Sequence, residues 1–156
     1  MTIILEETNQ FTFHSDLSLV IRPFGDYFQR LNWLITDLWC FSLEPPDKKK
    51  GIGRLNHEDL SIVFSGKELY DLIMSEKIQF IWGVFSGFEG DIPVVKEDDL
   101  PYADGNRDIW VRPEDFQLPS AQIEIICWDS SATIVKFKDK AFGYRFLEVF
   151  PEAKQM

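Results

Sequence analysis

The stretch Gln122-Ile-Glu-Ile-Ile-Cys-Trp128, Asp129-Ser-Ser131, Ala132-Thr-Ile-Val-Lys-Phe137 indicates the fold more clearly than any other part of the chain. Two runs rich in β-branched residues flank a short polar segment, which is typical of an antiparallel hairpin. Alternation within the first run predicts that Ile123, Ile125 and Cys127 share a buried face. Hairpin signals among few helices favour an α+β protein over a doubly wound α/β fold.

A second strand is predicted upstream, in Ile78-Gln-Phe-Ile-Trp-Gly-Val-Phe85. Both of its alternating faces are apolar, as in a central strand that is covered on both sides. Before it, Ser65-Gly-Lys-Glu68 matches a capping box, which predicts a helix that runs to about Ser75. The predicted buried face of this helix consists of Leu69, Leu72 and Ile73.

The remaining elements are predicted from shorter signals at both ends of the chain. Residues 138–150 predict a closing helix that ends before Pro151. Its apolar face is expected to carry Phe142, Phe146 and Val149. In the first third we expect a strand at residues 11–14, a short helix over residues 16–21, a strand or hairpin over residues 33–42, and an exposed loop over residues 44–53.

Together these signals predict a single α+β domain over residues 1–156, with an antiparallel or mixed sheet and two or three helices. A length of 156 residues suits one core, because chains of this size bury roughly two-thirds of their unfolded surface. Hydrophobic residues make up 45% of the chain and aromatic residues 15%, which is enough apolar surface to build that core.

The sequence predicts a cytoplasmic protein. Its longest uncharged apolar stretch, residues 78–87, is far shorter than the ~20 residues that a membrane-spanning helix requires. The first residues lack the basic and long apolar regions of a secretory signal. Cys40 and Cys127 lie in apolar, strand-like contexts, so we expect buried reduced thiols, with a disulfide as the alternative.

The net charge of −10 is concentrated in one part of the chain. Residues 89–115 contain nine acidic and three basic residues, whereas residues 116–156 contain five of each. Pro and Gly are frequent in the acidic part, so we interpret it as a long surface connection. Such a surface disfavours nucleic acid and anionic membranes as ligands, because both are negatively charged. The electrostatically complementary partner is a basic protein.

Histidine and cysteine chemistry is not indicated. The two histidines, His14 and His57, are 43 residues apart, and neither has a zinc-type spacing to another ligand. Adjacent residues in His57-Glu58-Asp59 do not share a face, so a solvated loop is the expected structure. Cys127 has apolar strand neighbours, which favour a core position over a nucleophilic one. We predict no cofactor and no catalytic residue of this kind.

Carboxylates are the abundant functional groups, and they leave one chemical alternative open. A small carboxylate-dependent hydrolase or a metal-binding protein would draw on the acidic run. The spacing does not match a calcium loop, which favours solvated side chains. The candidates for this alternative are Glu97, Asp98, Asp99, Asp104 and Asp108.

Aromatic residues accompany the acidic run, and together they predict a partner-binding surface. Aromatic anchors dominate the energetics of protein interfaces, and opposite charge raises the rate of encounter. The alternative is that these aromatics are loop residues packed down on the core. The predicted binding set is Phe88, Asp98, Asp99, Tyr102, Asp104, Asp108 and Trp110.

Three stretches carry a family resemblance: Leu60 to Ile73, residues 78–85, and the hairpin Ile123-Glu-Ile-Ile-Cys-Trp-Asp-Ser-Ser-Ala-Thr-Ile-Val135. Their pattern resembles that of small acidic bacterial proteins of the polymorphic-toxin immunity type. The resemblance covers roughly half of the chain and consists of packing patterns. It implies a stoichiometric, non-catalytic inhibitor that covers the active site of a basic toxin. It assigns no role to an individual residue.

The leading expectation is therefore an immunity-type binding protein, either a monomer or a weak homodimer, that docks a basic toxin on its acidic loop. The second is the carboxylate-dependent hydrolase or metal-binding protein. The third is a structural or regulatory module that associates with a peptide or with itself.

Overall fold

The computed structural model describes residues 1–45, 47 and 52–156. Its centre is a seven-stranded sheet in which every pairing is antiparallel, with the strand order β3-β2-β4-β5-β6-β1-β7. The strands are β1 Thr2–Leu5, β2 Asn32–Ser42, β3 Ser61–Ser65, β4 Ile78–Phe88, β5 Ile123–Trp128, β6 Ala132–Phe137 and β7 Lys154–Gln155. The α-helices of the described residues are α1 Leu17–Val20, α2 Asp26–Arg30, α3 Gly66–Ser75, α4 Asp108–Val111 and α5 Lys140–Val149.

These elements confirm the predicted α+β class. Two of the helices, α3 and α5, have ten residues each, and the other three are single turns. Short 3₁₀ turns occur at Arg22–Phe24, Ile52–Arg54 and Glu97–Asp99. No helix among the described residues is both long enough and apolar enough to cross a membrane.

The hairpin β5–β6 has the predicted turn. Trp128 pairs with Ala132, and Asp129 and Ser130 between them have positive φ angles of 47° and 52°. Asp tolerates this left-handed conformation better than a β-branched residue does, which explains why the polar segment forms the turn. Strand β4 is central, as predicted, and lies between β2 and β5.

One face of the sheet, the helical face, is covered by α1, α2, α3 and α5. Its core is a single large cluster that includes Trp33, Phe85 and Phe146. Helix α3 begins with the predicted capping box between Ser65 and Glu68. Its three predicted core residues, Leu69, Leu72 and Ile73, are all buried.

The opposite face, the acidic face, is covered by residues 89–121, which we call the covering segment. It contains α4 and a 3₁₀ turn and is otherwise irregular. Two small clusters join it to the sheet: Ala103 and Ile109 pack on Val84, and Leu118 and Ala121 pack on Phe88 and Leu34. The predicted acidic connection therefore forms a layer that is packed down on the sheet.

The predicted strand at residues 11–14 is wrong. This part of the chain forms bends and turns, and its backbone pairs with no strand of the sheet among the described residues. Phe11 instead packs edge-on against Phe150, with ring centroids 5.6 Å apart.

The closing helix and the predicted loop each differ in part from the predictions. Helix α5 begins at Lys140, because Asp139 caps it by accepting a hydrogen bond from the amide of Ala141. On its predicted apolar face Phe146 is fully buried, whereas Val149 is exposed. The predicted loop at residues 44–53 lies partly outside the described residues; of its described members, Pro45, Asp47 and Gly53 are exposed, whereas Glu44 and Ile52 are half-buried.

Candidate binding cleft

A cleft of about 470 Å³ lies where the covering segment stops short of the edge of the sheet. Three separate parts of the chain line it: residues 37–39 of β2, residues 57–60 before β3, and residues 97–104 of the covering segment. Trp82 of β4, which pairs with Trp39 of β2, also lines it. We call this site the acidic cleft.

A β-bulge in β2 shapes the cleft. The pairing of β2 with β4 shifts register between Thr36 and Trp39, and Asp37 has a positive φ of 49°. A bulge redirects the side chains near it, and it is a frequent feature beside functional sites. Here it places the carboxylate of Asp37 against the covering segment. Its Oδ2 atom accepts hydrogen bonds from the amides of Ala103 at 2.7 Å and Asp104 at 2.9 Å.

The lining of the cleft is strongly acidic. Among its described lining residues there is no Lys or Arg, and no carboxylate of the cleft forms an ion pair with a described residue. By contrast, Asp108 and Asp115, outside the cleft, each pair with Arg112. Within the described residues, no ion pair therefore neutralises a carboxylate of the cleft. Its carboxylates belong to Asp37, Glu58, Asp59, Glu97, Asp98 and Asp104.

Three aromatic side chains also line the cleft. Trp39 is 62% exposed and Tyr102 is 51% exposed, and Trp82 beside them is half-buried. A large aromatic ring that remains accessible in a concave site offers its π face to a ligand. The row continues beyond the cleft, since Trp82 contacts Trp128 edge-on at 5.1 Å and Trp128 contacts Trp110 at 5.2 Å.

The structure separates the seven residues of the predicted binding set. Asp98, Tyr102 and Asp104 line the acidic cleft. Asp99 and Asp108 line a neighbouring cavity of about 340 Å³, which Asp98 and Tyr102 also border. Trp110 is 41% exposed at the far end of the tryptophan row.

Phe88 requires a correction. It is only 2% exposed and packs against Leu34, Leu118 and Ala121 beneath the covering segment. A partner docked on the surface would not contact it. The last residues of β4 alternate between the two faces, so Phe88 belongs to the core of the acidic face.

Sequence reasoning missed the half of the cleft that lies on the sheet and before β3. Trp39, Trp82 and Asp37 lie in strands that the sequence assigned to packing. One signal was present, since Asp37 is a single carboxylate within the apolar run of residues 33–41. Glu58 and Asp59 follow His57 in a segment that the sequence predicts to be a solvated loop, and all three line the cleft.

A buried ion pair fixes the covering segment beside the cleft. Lys136 and Glu124 are 1% and 0% exposed, and Lys136 Nζ lies 2.9 Å from Glu124 Oε1. Burial raises the pKa of Glu124, although the neighbouring ammonium opposes that shift. Glu124 also accepts a hydrogen bond from the amide of Gln117 at 3.0 Å, and Gln117 Oε1 accepts one from the amide of Tyr102 at 3.0 Å. This chain of contacts connects the sheet to the aromatic wall of the cleft.

Nucleophilic chemistry finds no support at the two thiols. Both cysteines are free, and burial raises the pKa of each to about 12. A thiol with such a pKa is protonated at neutral pH and is a poor nucleophile. In the part of the chain that the structure describes, no group of three or more His, Cys, Asp or Glu side chains is arranged to hold a metal ion.

Comparison with known proteins returns no match to a family model, to a curated protein or to a solved structure. What the chain binds is therefore inferred from its own geometry.

Proposed function

We propose that this chain is a non-catalytic binding protein that engages a basic protein partner through the acidic cleft. The single observation that carries the proposal is the convergence of six carboxylates and three aromatic side chains on one cleft, whose described lining contains no Lys or Arg. Its biological role would be that of an immunity-type inhibitor, acting in the cytoplasm by covering the active site of a basic toxin.

Electrostatics supports a protein partner of opposite charge. A cleft lined by charges of one sign focuses the field and raises the rate of encounter with a cationic surface. The chain as a whole has a net charge of −10, so the long-range attraction has the same sign as the local one. An anionic ligand would be repelled at both ranges.

The exposed aromatics supply affinity that charge alone does not. Exposed carboxylates contribute little in isolation, because water and salt screen them. Trp and Tyr are enriched among the residues that dominate binding energy, and Trp39 and Tyr102 are the accessible rings here. A basic partner that covers these rings would displace water from the carboxylates around them and strengthen their attraction.

Occlusion fits the way in which the cleft is built. The covering segment is held by Asp37 at one side and by the Gln117–Glu124 contact at the other, so its acidic wall is fixed before a partner arrives. A preformed surface binds with a smaller loss of conformational entropy than a flexible loop. Steric inhibition requires only such a stable complex and no chemistry.

The proposal is tested by capture of the partner with a charge-reversal variant and a matched control. The cleft variant is Asp98→Lys/Asp104→Lys, and the control is Glu148→Lys/Glu152→Lys, which makes the same change of charge at exposed positions away from the cleft. Wild type and control should retain a basic protein from native lysate of the source bacterium at moderate salt, and the cleft variant should lose it.

The captured protein must then be toxic alone and neutralised by co-expression of wild type but not of the cleft variant. A partner that is held equally by all three forms would refute the electrostatic part of the proposal. A partner that is held but not inhibited would refute the immunity role. The gene that neighbours this one in the source genome is the first candidate to co-express.

A self-associating module is the second candidate, because of one observation at the edge of the sheet. Strand β3 is an edge strand, and Leu60 and Val63 on it or beside it are exposed. Uncharged exposed edge strands are sites at which a second copy can pair. Light scattering distinguishes this candidate: a dimer that Val63→Lys converts to a monomer would support it, and a monomeric wild type would exclude it.

A further inference from the structure

We propose that the acidic cleft is an arginine-recognition site, which accepts one guanidinium group of the partner between its two acidic walls and against the tryptophan rings. This inference rests on the proposed function and names the side chain that the cleft selects.

The cleft has room for a long side chain. Its volume of about 470 Å³ lies within the roughly 300–1,000 Å³ that is typical of sites for small ligands. Two separate segments supply its acidic walls: residues 57–60 before β3 and residues 97–104 of the covering segment. Trp39 and Trp82, which are paired on neighbouring strands, supply its aromatic surface.

Charge selects a cation for this space. Asp37 is already engaged with the amides of Ala103 and Asp104, but the remaining carboxylates have no ion-pair partner within the described residues. Each wall has at least two of them. The wall before β3 carries Glu58 and Asp59, and the covering segment carries Glu97, Asp98 and Asp104.

Arginine fits this arrangement better than lysine for two reasons. A guanidinium group has five N–H donors in one plane, so it can bond to carboxylates on both walls at once, whereas an ammonium group acts as a point charge. The guanidinium is also less strongly hydrated and stacks on aromatic faces, and tryptophan is the ring that attracts cations best. The exposed indole of Trp39 is the platform that distinguishes the two.

The exposed aromatic surface supports recognition of a ligand independently of the charge. An acidic loop that is only solvated has no need of an accessible tryptophan, and burial of Trp39 would stabilise the fold if a neighbour covered it. Instead Trp39 is 62% exposed on a strand, beside the bulge that turns the carboxylate of Asp37 to the covering segment.

The test is titration of the whole protein with three short peptides that differ at one central position. The peptides carry arginine, lysine or citrulline within the same neutral Gly/Ser sequence, and binding is followed by the NMR signals of the tryptophan indole N–H groups. We expect the arginine peptide to shift the Trp39 and Trp82 signals saturably. The lysine peptide should bind about fivefold more weakly, and the uncharged citrulline peptide should cause no shift.

Two variants connect the selectivity to the cleft. Trp39→Ala should remove most of the preference for arginine, since the lysine peptide depends less on the ring. It also identifies the Trp39 signal by its absence. Tyr144→Ala is the matched control, because Tyr144 is 59% exposed, close to the 62% of Trp39, but lies on α5, on the helical face. Magnesium chloride at the same ionic strength controls for attraction of any cation.

The outcomes separate this inference from the proposed function. Equal binding of the arginine and lysine peptides, unchanged in Trp39→Ala, would overturn arginine recognition and leave a purely electrostatic surface. Absence of binding by any peptide would overturn it as well, while the capture experiment with Asp98→Lys/Asp104→Lys would still decide the proposed function. Arginine selectivity together with a partner that ignores charge reversal would refute the proposed function alone.

Discussion

The two faces of the sheet differ in what covers them, and the difference separates stability from binding. The helical face has one continuous core beneath four helices, and its centre is rich in phenylalanine. The acidic face has two small clusters beneath an irregular segment. Regular helices satisfy their own backbone groups and bury a continuous apolar stripe, whereas an irregular segment needs side chains to fix it. The second arrangement leaves a cleft, and it exposes carboxylates and aromatic rings on the surface.

The largest effect is expected from truncation of Phe146 on the helical face. Phe146 is fully buried and contacts Phe24, Phe137 and Phe150. Phe146→Ala should destabilise the protein by about 4 kcal/mol, measured by urea unfolding. Phe88→Ala is the matched change on the acidic face and should cost about 3 kcal/mol, because the irregular covering segment can move into the space. A larger loss from Phe88→Ala would reverse the proposed ranking of the two faces.

The next effect concerns the buried pair that fixes the covering segment. Lys136→Met leaves the carboxylate of Glu124 buried without its cation, so we expect a loss of about 3 kcal/mol. Lys136→Met/Glu124→Leu removes both charges and should recover part of that loss, although it also removes the acceptor of the Gln117 amide hydrogen bond. Denaturant titration measures the free energies of unfolding of wild type, the single variant and the double variant. If the double variant were no more stable than the single one, the pair would not be the source of the effect.

A smaller effect is expected at the bulge. Asp37→Gly keeps a residue that tolerates the positive φ but removes the acceptor of two amide hydrogen bonds, so it should weaken docking of the covering segment by about 2 kcal/mol. Hydrogen exchange of the Ala103 and Asp104 amides should accelerate, while amides of the helical face stay protected. Asp37→Asn retains a neutral acceptor, so its exchange rates at Ala103 and Asp104 should lie between those of wild type and Asp37→Gly. Unchanged exchange at Ala103 would show that other contacts hold the segment.

The smallest effect is expected at the start of α3, which belongs to the helical face. Ser65→Ala removes the N-cap and should cost about 1 kcal/mol. Hydrogen bonds from Ser65 lower the pKa of Glu68, so this part of the stability is present above the ordinary glutamate pKa of about 4.3 and is lost as the pH falls through the lowered value. Thermal unfolding of both proteins between pH 3 and pH 7 measures it.

The difference between wild type and Ser65→Ala should therefore narrow on acidification. Lys67→Ala is the control, since its exposed i,i+4 pair with Asp71 should contribute less than about 0.5 kcal/mol. A difference that is constant with pH would mean that the Glu68 carboxylate takes no part in the cap.

Elements whose pattern lies within a few neighbouring residues were predictable. The capping box at Ser65, the two-sided apolar strand β4 and the hairpin with its turn at Asp129 all follow from local spacing. The strand expected at residues 11–14 is wrong for a related reason: alternation indicates which side chains face the core, but it does not show whether the backbone pairs with another strand.

For the binding site, the sequence by itself determined the location of the acidic excess, in residues 89–115, and three members of the cleft, Asp98, Tyr102 and Asp104. Only the tertiary structure decided that Phe88 faces inward and that Asp37, Trp39 and Trp82 complete the site. Asp37 and Ala103 are 66 residues apart in the chain, yet the bulge and the folded covering segment bring them into hydrogen-bond contact. Charge and apolar period are properties of the local sequence, whereas a cleft depends on which distant segments pack together, and that is set by the whole fold.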